Sequence, residues 1–375
     1  MTVSARHVVH VLPHHFGSRV DDLEDLQTRG GGERAFFQLA KAMSSHVRTT
    51  AVTFGATRHT HRWGDLSVEI YPARSLLPAF NGPGTPFSLR FLRELDGADV
   101  AHVFQIHSDT ALLAALKARS RRIPVFATDY GYLGLNLSRL PLVPMLSDGV
   151  LAISRFAARQ YARARCVETI WAGVDLDAFP FSVEKQRAVL CVARILPHKG
   201  INYLIEAMDA DTPLTIVGRG GHAPYLEHLR GLSQGKNVRF LINASDGEAR
   251  AEYARAAVVV LPSVYRDMYG KWYPRAELFG LALAEGMASG AACVTTRVGA
   301  LPEVVQDQKT GFVVPPNSPD ALRARIFELL DQPDLATTMG RNGRAYVEDH
   351  FTWEAVARRC LACYENAQGG RDAKL

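Results

Sequence analysis

Two doubly wound α/β domains, each built on a parallel sheet, are the architecture this sequence predicts. Short apolar runs alternate with longer stretches of helical period along most of the chain, the pattern of strands joined by crossover helices. Several runs, such as Ala188 to Ala193 and Ala292 to Thr296, are short and almost wholly apolar, which marks buried strands. The 375 residues suffice for two domains of ordinary size. A polar, proline-containing stretch from Asp175 to Arg187 marks the boundary.

Composition narrows the class. Hydrophobic residues make up 47% and charged residues 22%, which excludes a disordered chain. The net charge of +5 is spread along the sequence, whereas a nucleic-acid binder concentrates it, so sugar nucleotides and anionic surfaces are the expected partners and nucleic acid is not. Five scattered cysteines (Cys166, Cys191, Cys293, Cys360, Cys363) read as reduced, which predicts a cytoplasmic protein. Cys360 and Cys363 have CxxC spacing, but they lie in a helical pattern with no second pair, so no metal site is assigned to them. No apolar run is long enough to span a membrane and no signal-peptide stretch opens the chain. Peripheral membrane contact and the oligomeric state are left open.

In the first half, His7 to Leu12, Arg48 to Phe54, Leu66 to Tyr71, Ala98 to Ile106, Val125 to Tyr130 and Gly149 to Ser154 read as strands. A long loop after the first carries Asp21, Asp22, Glu24 and Asp25. Gly30, Gly31 and Gly32 form a turn into a helix with Phe36, Phe37, Leu39, Ala40 and Met43 on one face.

In the second half, the strand at Ala188 to Ala193 runs into Arg194, Lys199 and Gly200, and then a helix from Ile201 to Met208. Strand, loop with two cations, and helix form a phosphate-binding arrangement, because a planar guanidinium and a point-charge ammonium both suit a diphosphate. Strands follow at Leu214 to Val217, Val238 to Leu241 and Val258 to Ser263. The loop from Tyr265 to Tyr273 holds five aromatic or apolar side chains, which either stack on a sugar ring or pack the domain surface. It leads into Glu277, Leu278, Phe279, Gly280, Leu281 and, further on, Glu285. Gly280 is read as a turn and Leu281 to Ala288 as a helix, with Glu277 in the loop before it and Glu285 inside it. The N–H groups around Phe279 to Leu281 then point out of a helix N-terminus, which favours an anion such as a diphosphate. The two glutamates are placed to take sugar hydroxyls on either side. The last helices are read at Asp320 to Leu330 and Trp353 to Asn366.

The string from Glu277 to Glu285 resembles the E-x7-E signature of the retaining family 4 (group 1) glycosyltransferases. Other segments resemble that family in order. Gly30 to Arg34 stand for its GGxER turn, Asp99 to Phe104 for its D-V-V-H-x-H strand end, and Ile170 to Asp175 for its N-G-V-D run. Arg194 to Gly200 stand for G-R-x-x-x-x-K-G with Ala193 replacing the usual glycine. Gly299 to Val305 and Thr310 to Val314 stand for G-G-x-x-E and N-G-x-L-V.

The resemblance implies the GT-B fold: two Rossmann-like doubly wound domains facing across a cleft, with a C-terminal helix crossing back to the first. The domains are expected at 1–178 (acceptor), 179–350 (nucleotide sugar) and 351–375 (the returning helix). The implied activity is transfer of a sugar, with retention, from a nucleotide diphosphate sugar to an acceptor hydroxyl. UDP is preferred to GDP, and no cofactor or metal is expected. Carried over by position, Glu277 contacts the transferred sugar and Glu285 the ribose. Phe279, Gly280 and Leu281 contact sugar and phosphate, Arg194 and Lys199 hold the diphosphate, and Gly31 and Gly218 line the donor. Ile242 stands near the base. The family's second strand-end histidine is Phe104 here, and His107 is the candidate substitute, while His102 is expected to be a core histidine. In this architecture the acidic loop overhangs the acceptor side, so Asp21, Asp22, Glu24 and Asp25 are candidate ligands for a cationic aminosugar or aminocyclitol, or a solvated loop. Two other activities fit the same fold, a sugar-nucleotide epimerase and a non-catalytic nucleotide-sugar-binding protein.

Overall fold

The computed structural model describes residues 6–16, 31–73, 86–131 and 142–372. The chain divides into two compact units, residues 1–173 with 353–375, and residues 174–352.

The first unit holds β1 (His7–His15), β2 (Arg48–Gly55), β3 (His59–Trp63), β4 (Leu66–Pro72), β5 (Val100–Phe104), β6 (Val125–Thr128), β7 (Gly149–Ala152) and β8 (Val167–Thr169). Their order across the sheet is β3-β4-β2-β1-β5-β6-β7-β8. Neighbours are parallel except β3 and β4, which form an antiparallel edge. The sequence reading missed β3: His59, Thr60, His61 and Arg62 supply no apolar run, and the strand is held by pairing with β4 at a partly exposed edge.

The helix Gly31–Ser44 begins at Gly31, so two of the three glycines read as a turn are helical. Its apolar face packs on the C-terminal helix Trp353–Asp372. Trp353, Val356, Cys360 and Tyr364 recur at helical spacing and share one core with Phe36, Leu39 and Phe126. A buried side chain of this size contributes about 1.5–3 kcal/mol. Gly173 is required here, because a Cβ would lie 2.4 Å from the Trp353 ring.

A buried polar chain pins the same helix to the sheet. The Thr128 hydroxyl donates to the Leu151 carbonyl at 2.9 Å, so it accepts from His102 Nε2 at 2.8 Å. That tautomer leaves Nδ1 as acceptor for the Tyr364 hydroxyl at 2.7 Å. His102 is thus a satisfied core residue, fully buried, with its pKa well below the ordinary value because burial disfavours the charged ring.

The second unit is a six-stranded, wholly parallel sheet: β9 (Gln186–Val192), β10 (Leu214–Gly218), β11 (Val238–Ile242), β12 (Ala256–Leu261), β13 (Ala292–Thr296) and β14 (Gly311–Val314). The order is β11-β10-β9-β12-β13-β14, so strand order reverses between β9 and β12. In open sheets of this kind ligands bind outside the carboxyl ends of the strands at that reversal. The helix Leu281–Ala288 follows β12 and feeds β13. Behind it lies the helix Pro333–His350, which the sequence reading passed over. Gly340 and Gly343 weaken its helical signal, yet both are contact points. A Cβ at Gly340 would sit 2.1 Å from the Gly290 carbonyl oxygen, and one at Gly343 would sit 2.9 Å from the Met287 side chain.

Candidate active site

The loops leaving β9 and β12 meet at the reversal. After β9 the backbone stays in register with the exit of β10, through Ala193 N–H to Val217 O at 3.0 Å and Ile195 N–H to Arg219 O at 2.9 Å. The two loops are so close that a Cβ on Gly218 would stand 1.8 Å from the Ala193 carbonyl oxygen. Pro197–Lys199 then form one 3-10 turn, and Gly200 closes it at φ 65°, where a Cβ would meet the Pro262 carbonyl oxygen at 2.1 Å. This turn is tied to the exit of β12 by Val264 N–H to His198 O at 2.9 Å.

The geometry delivers Lys199 to Glu277. The Lys199 ammonium pairs with Glu277 Oε1, and the Ser263 hydroxyl donates to the same oxygen at 2.5 Å. Glu277 is only 7% exposed. Oε2 makes no hydrogen bond among the described residues. The Glu277 carbonyl accepts from Ala300 N–H at 3.1 Å, and Gly299, at φ 55°, lets that backbone approach.

Three residues on, Gly280 at φ 111° starts the helix Leu281–Ala288 with no side chain capping it. First-turn N–H groups lack intrahelical acceptors and carry partial positive charge. The Phe279 ring turns inward, edge-on to Phe351 at 5.2 Å between centroids and 4% exposed. The side chain is therefore core, and only the backbone at Phe279 is placed to meet a ligand. Leu281, first in the helix, is half-buried. One turn further along, Glu285 is buried and accepts from the Tyr253 hydroxyl at 2.9 Å.

His198, between the two cations of the loop, has its pKa pushed down to about 4. Burial is the main cause, Lys199 adds to it, and Glu277 opposes it. Its ring lies on Tyr273 at 4.5 Å.

The second unit thus brings together Lys199, Glu277, Gly218, Gly280 and, a turn away, Glu285. Arg194 is on the same loop as Lys199, but its side chain is exposed. Ile242 ends β11 beside the glycine loop, where a Cβ on Gly220 would lie 3.8 Å from its side chain. Gly31 and His107 belong to the first unit. Gly31 opens its helix with nothing among the described residues within 4 Å of where a Cβ would project, and His107 sits half-buried in the turn after β5. Asp21, Asp22, Glu24 and Asp25 lie outside the described residues. Sequence reasoning missed Ser263 and Tyr253. A hydroxyl just past an apolar strand at the reversal was a usable signal for Ser263. Nothing local distinguishes Tyr253 from any helical core tyrosine.

Among known proteins, the family described as Glycosyl transferases group 1 matches residues 176–346, and Glycosyltransferase Family 4 matches residues 29–178. This chain belongs to the family 4 (group 1) glycosyltransferases. A GDP-mannose-dependent α-(1-6)-phosphatidylinositol monomannoside mannosyltransferase of Mycolicibacterium smegmatis is 28% identical, over 78% of this chain and 82% of that protein. A GDP-mannose-dependent monoacylated α-(1-6)-phosphatidylinositol monomannoside mannosyltransferase of Corynebacterium glutamicum is 26% identical, over 89% and 94%. Among solved structures, Anabaena HepE in complex with UDP and glucose superposes with a TM-score of 0.70 at 16% identity, covering 95% of this chain and 98% of that one. Sucrose-phosphate synthase of Thermosynechococcus elongatus gives a TM-score of 0.70 at 20% identity, covering 97% and 100%. The fold of this glycosyltransferase is GT-B. The epimerase and the non-catalytic binding protein find no support in these relatives. Among the described residues no helix is long and apolar enough to cross a membrane.

Proposed function

We propose that this glycosyltransferase moves a hexose from a nucleotide diphosphate sugar to an acceptor hydroxyl, with retention at the anomeric carbon and no metal. The observation that carries the reading is the Glu277 carboxylate. Oε1 is fixed by Lys199 and Ser263, and Oε2 is left without a protein partner among the described residues. A carboxylate neutralised in this way is a poor covalent nucleophile and a good hydroxyl acceptor. Glu277 therefore orients the transferred sugar. As the glycosidic C–O bond breaks, negative charge builds on the departing diphosphate. Lys199, Arg194 and the first-turn N–H groups of the helix Leu281–Ala288 stabilise it, where preorganised donors lower the barrier most. The acceptor hydroxyl attacks from the same face and passes its proton to the leaving phosphate oxygen. Glu285 takes the ribose, and the exit of β11 at Ile242 lies by the base.

The names of the relatives support GDP-mannose as donor, which reverses the preference for UDP drawn from the sequence. The UDP complex of HepE supports only the general class of nucleotide. The test is acceptor-dependent release of nucleoside diphosphate from GDP-mannose and from UDP-hexoses in the presence of EDTA, with the product anomer read by NMR. Conversion of the donor alone, without an acceptor, would contradict a transferase. An inverted anomer would contradict retention.

A further inference from the structure

Residues 265–273 form a hairpin that follows β12 and reaches four neighbouring loops. Tyr273 N–H donates to Tyr265 O at 2.7 Å, and Arg266 pairs with Trp272 across the two arms. At the turn, the buried Asp267 carboxylate accepts from Tyr269 N–H and Lys271 N–H, both at 2.9 Å. Tyr273 lies on His198 of the cation loop, Tyr269 stands 5.8 Å from His222 beyond β10, and the Tyr265 hydroxyl accepts from Gly299 N–H at 2.8 Å. The Asn317 amide holds the Arg266 carbonyl at 3.1 Å. The hairpin is therefore a fixed structure at the carboxyl edge of the sheet, joined at its base to the backbone that supports Glu277.

Its outer surface is apolar and aromatic without being covered within this unit. Trp272 is 60% exposed, Tyr269 54% and Met268 36%. The Tyr265 ring is stacked on Trp272 at 5.2 Å, which covers one indole face and leaves the other to account for the exposure. An exposed patch of this kind, rimmed by polar groups and continuous with a site, marks a binding surface. A rigid aromatic face flanked by hydrogen-bonding groups suits a ring with an apolar face and a polar edge. The donor sugar is held at the buried Glu277, so a ring on the solvent side of it belongs to the acceptor.

We propose that the hairpin is a pyranose subsite for an acceptor that itself carries a sugar ring, with Trp272 as the stacking face. The proposal rests on the glycosyltransferase reading. The Tyr265 hydroxyl, already accepting from Gly299, keeps its proton to donate to a ligand hydroxyl.

The test uses saturation-transfer NMR on the whole protein, saturated with GDP or UDP. The probes are the methyl α-pyranosides of mannose, glucose and galactose. At least one is expected to receive saturation, strongest on one ring face. Trp272→Ala should weaken its binding at least threefold, and Trp272→Phe should retain it, with nucleotide affinity unchanged in both. Equal glycoside binding in Trp272→Ala, or no glycoside bound by a wild-type protein that does bind nucleotide, overturns the subsite and leaves the transferase reading standing. A wild-type protein that binds neither nucleotide overturns both.

Discussion

Lys199 and Glu277, 78 positions apart in the chain, form one buried ion pair at the carboxyl edge of the second sheet. The pair gives Lys199 two tasks, to neutralise Glu277 and to receive a phosphate, and the two are separable by experiment. Removing one member of a buried pair leaves an uncompensated charge at a cost of about 3–5 kcal/mol. Exposed Arg194 has no such structural task.

Lys199→Ala is therefore expected to lower both Tm and kcat/KM, while Arg194→Ala lowers kcat/KM with Tm unchanged. Each activity loss should be at least about tenfold, since a charge-assisted bond contributes about 1.5–3 kcal/mol. The double variant Lys199→Met with Glu277→Gln should recover Tm and stay inactive. Thermal denaturation alongside steady-state kinetics checks this.

Glu277→Gln keeps the shape of the side chain and loses its charge. Turnover should fall more than affinity for the free nucleoside diphosphate, which calorimetry reads. Glu285→Ala should do the reverse. Tyr253→Phe, which removes only the hydroxyl donated to Glu285, should weaken nucleotide binding by no more than about 1.5 kcal/mol.

The two classes of glycine should behave oppositely. Gly218→Ala drives a Cβ into a backbone carbonyl and should abolish nucleotide binding along with much of the stability. Gly31→Ala, at a helix start, meets none of the described residues within 4 Å and should leave Tm unchanged or raise it. A loss of activity in Gly31→Ala at unchanged Tm would show that a ligand approaches that backbone.

The buried histidines set an acid limit. His10 is fully buried, neither ring nitrogen has a partner among the described residues, and burial pushes its pKa down to about 3. His198 is pushed down to about 4, from an ordinary 6.5. The unfolded chain takes up these protons near pH 6.5 and the folded chain does not, so stability falls as pH drops from about 6.5 toward 4. His10→Phe, between Phe36 and Phe104, should flatten the dependence of Tm on pH over that window. An unchanged slope would remove His10 from the account.

How much of this was legible follows from the range of each interaction. Glu277, Gly280 and the helix to Ala288 were readable because turn, helix start and carboxylates lie within one short string. The alternation of apolar runs gave both sheets, since a buried parallel strand writes its burial into its own residues. The edge strand His59–Trp63 did not, because its register comes from β4. The helix Pro333–His350 was hidden by glycines that serve the neighbouring helix. Pairing of Lys199 with Glu277, and of Tyr253 with Glu285, depends on how strands are ordered across the sheet, which no local pattern encodes. The packing of the Phe279 ring against Phe351 is likewise not written in the signature, because its partner lies 72 positions away in the chain.

The most direct measurement of the central claim is a calorimetric titration of GDP and of UDP into the protein in EDTA, repeated with the Arg194→Ala, Lys199→Ala double variant. At least one nucleotide should bind the wild-type protein without metal, and the double variant should bind it at least about a hundredfold more weakly, two charge-assisted contacts at about 1.4 kcal/mol per tenfold each. Equal affinity in the two proteins, or wild-type binding that appears only when Mn²⁺ is added, would contradict it.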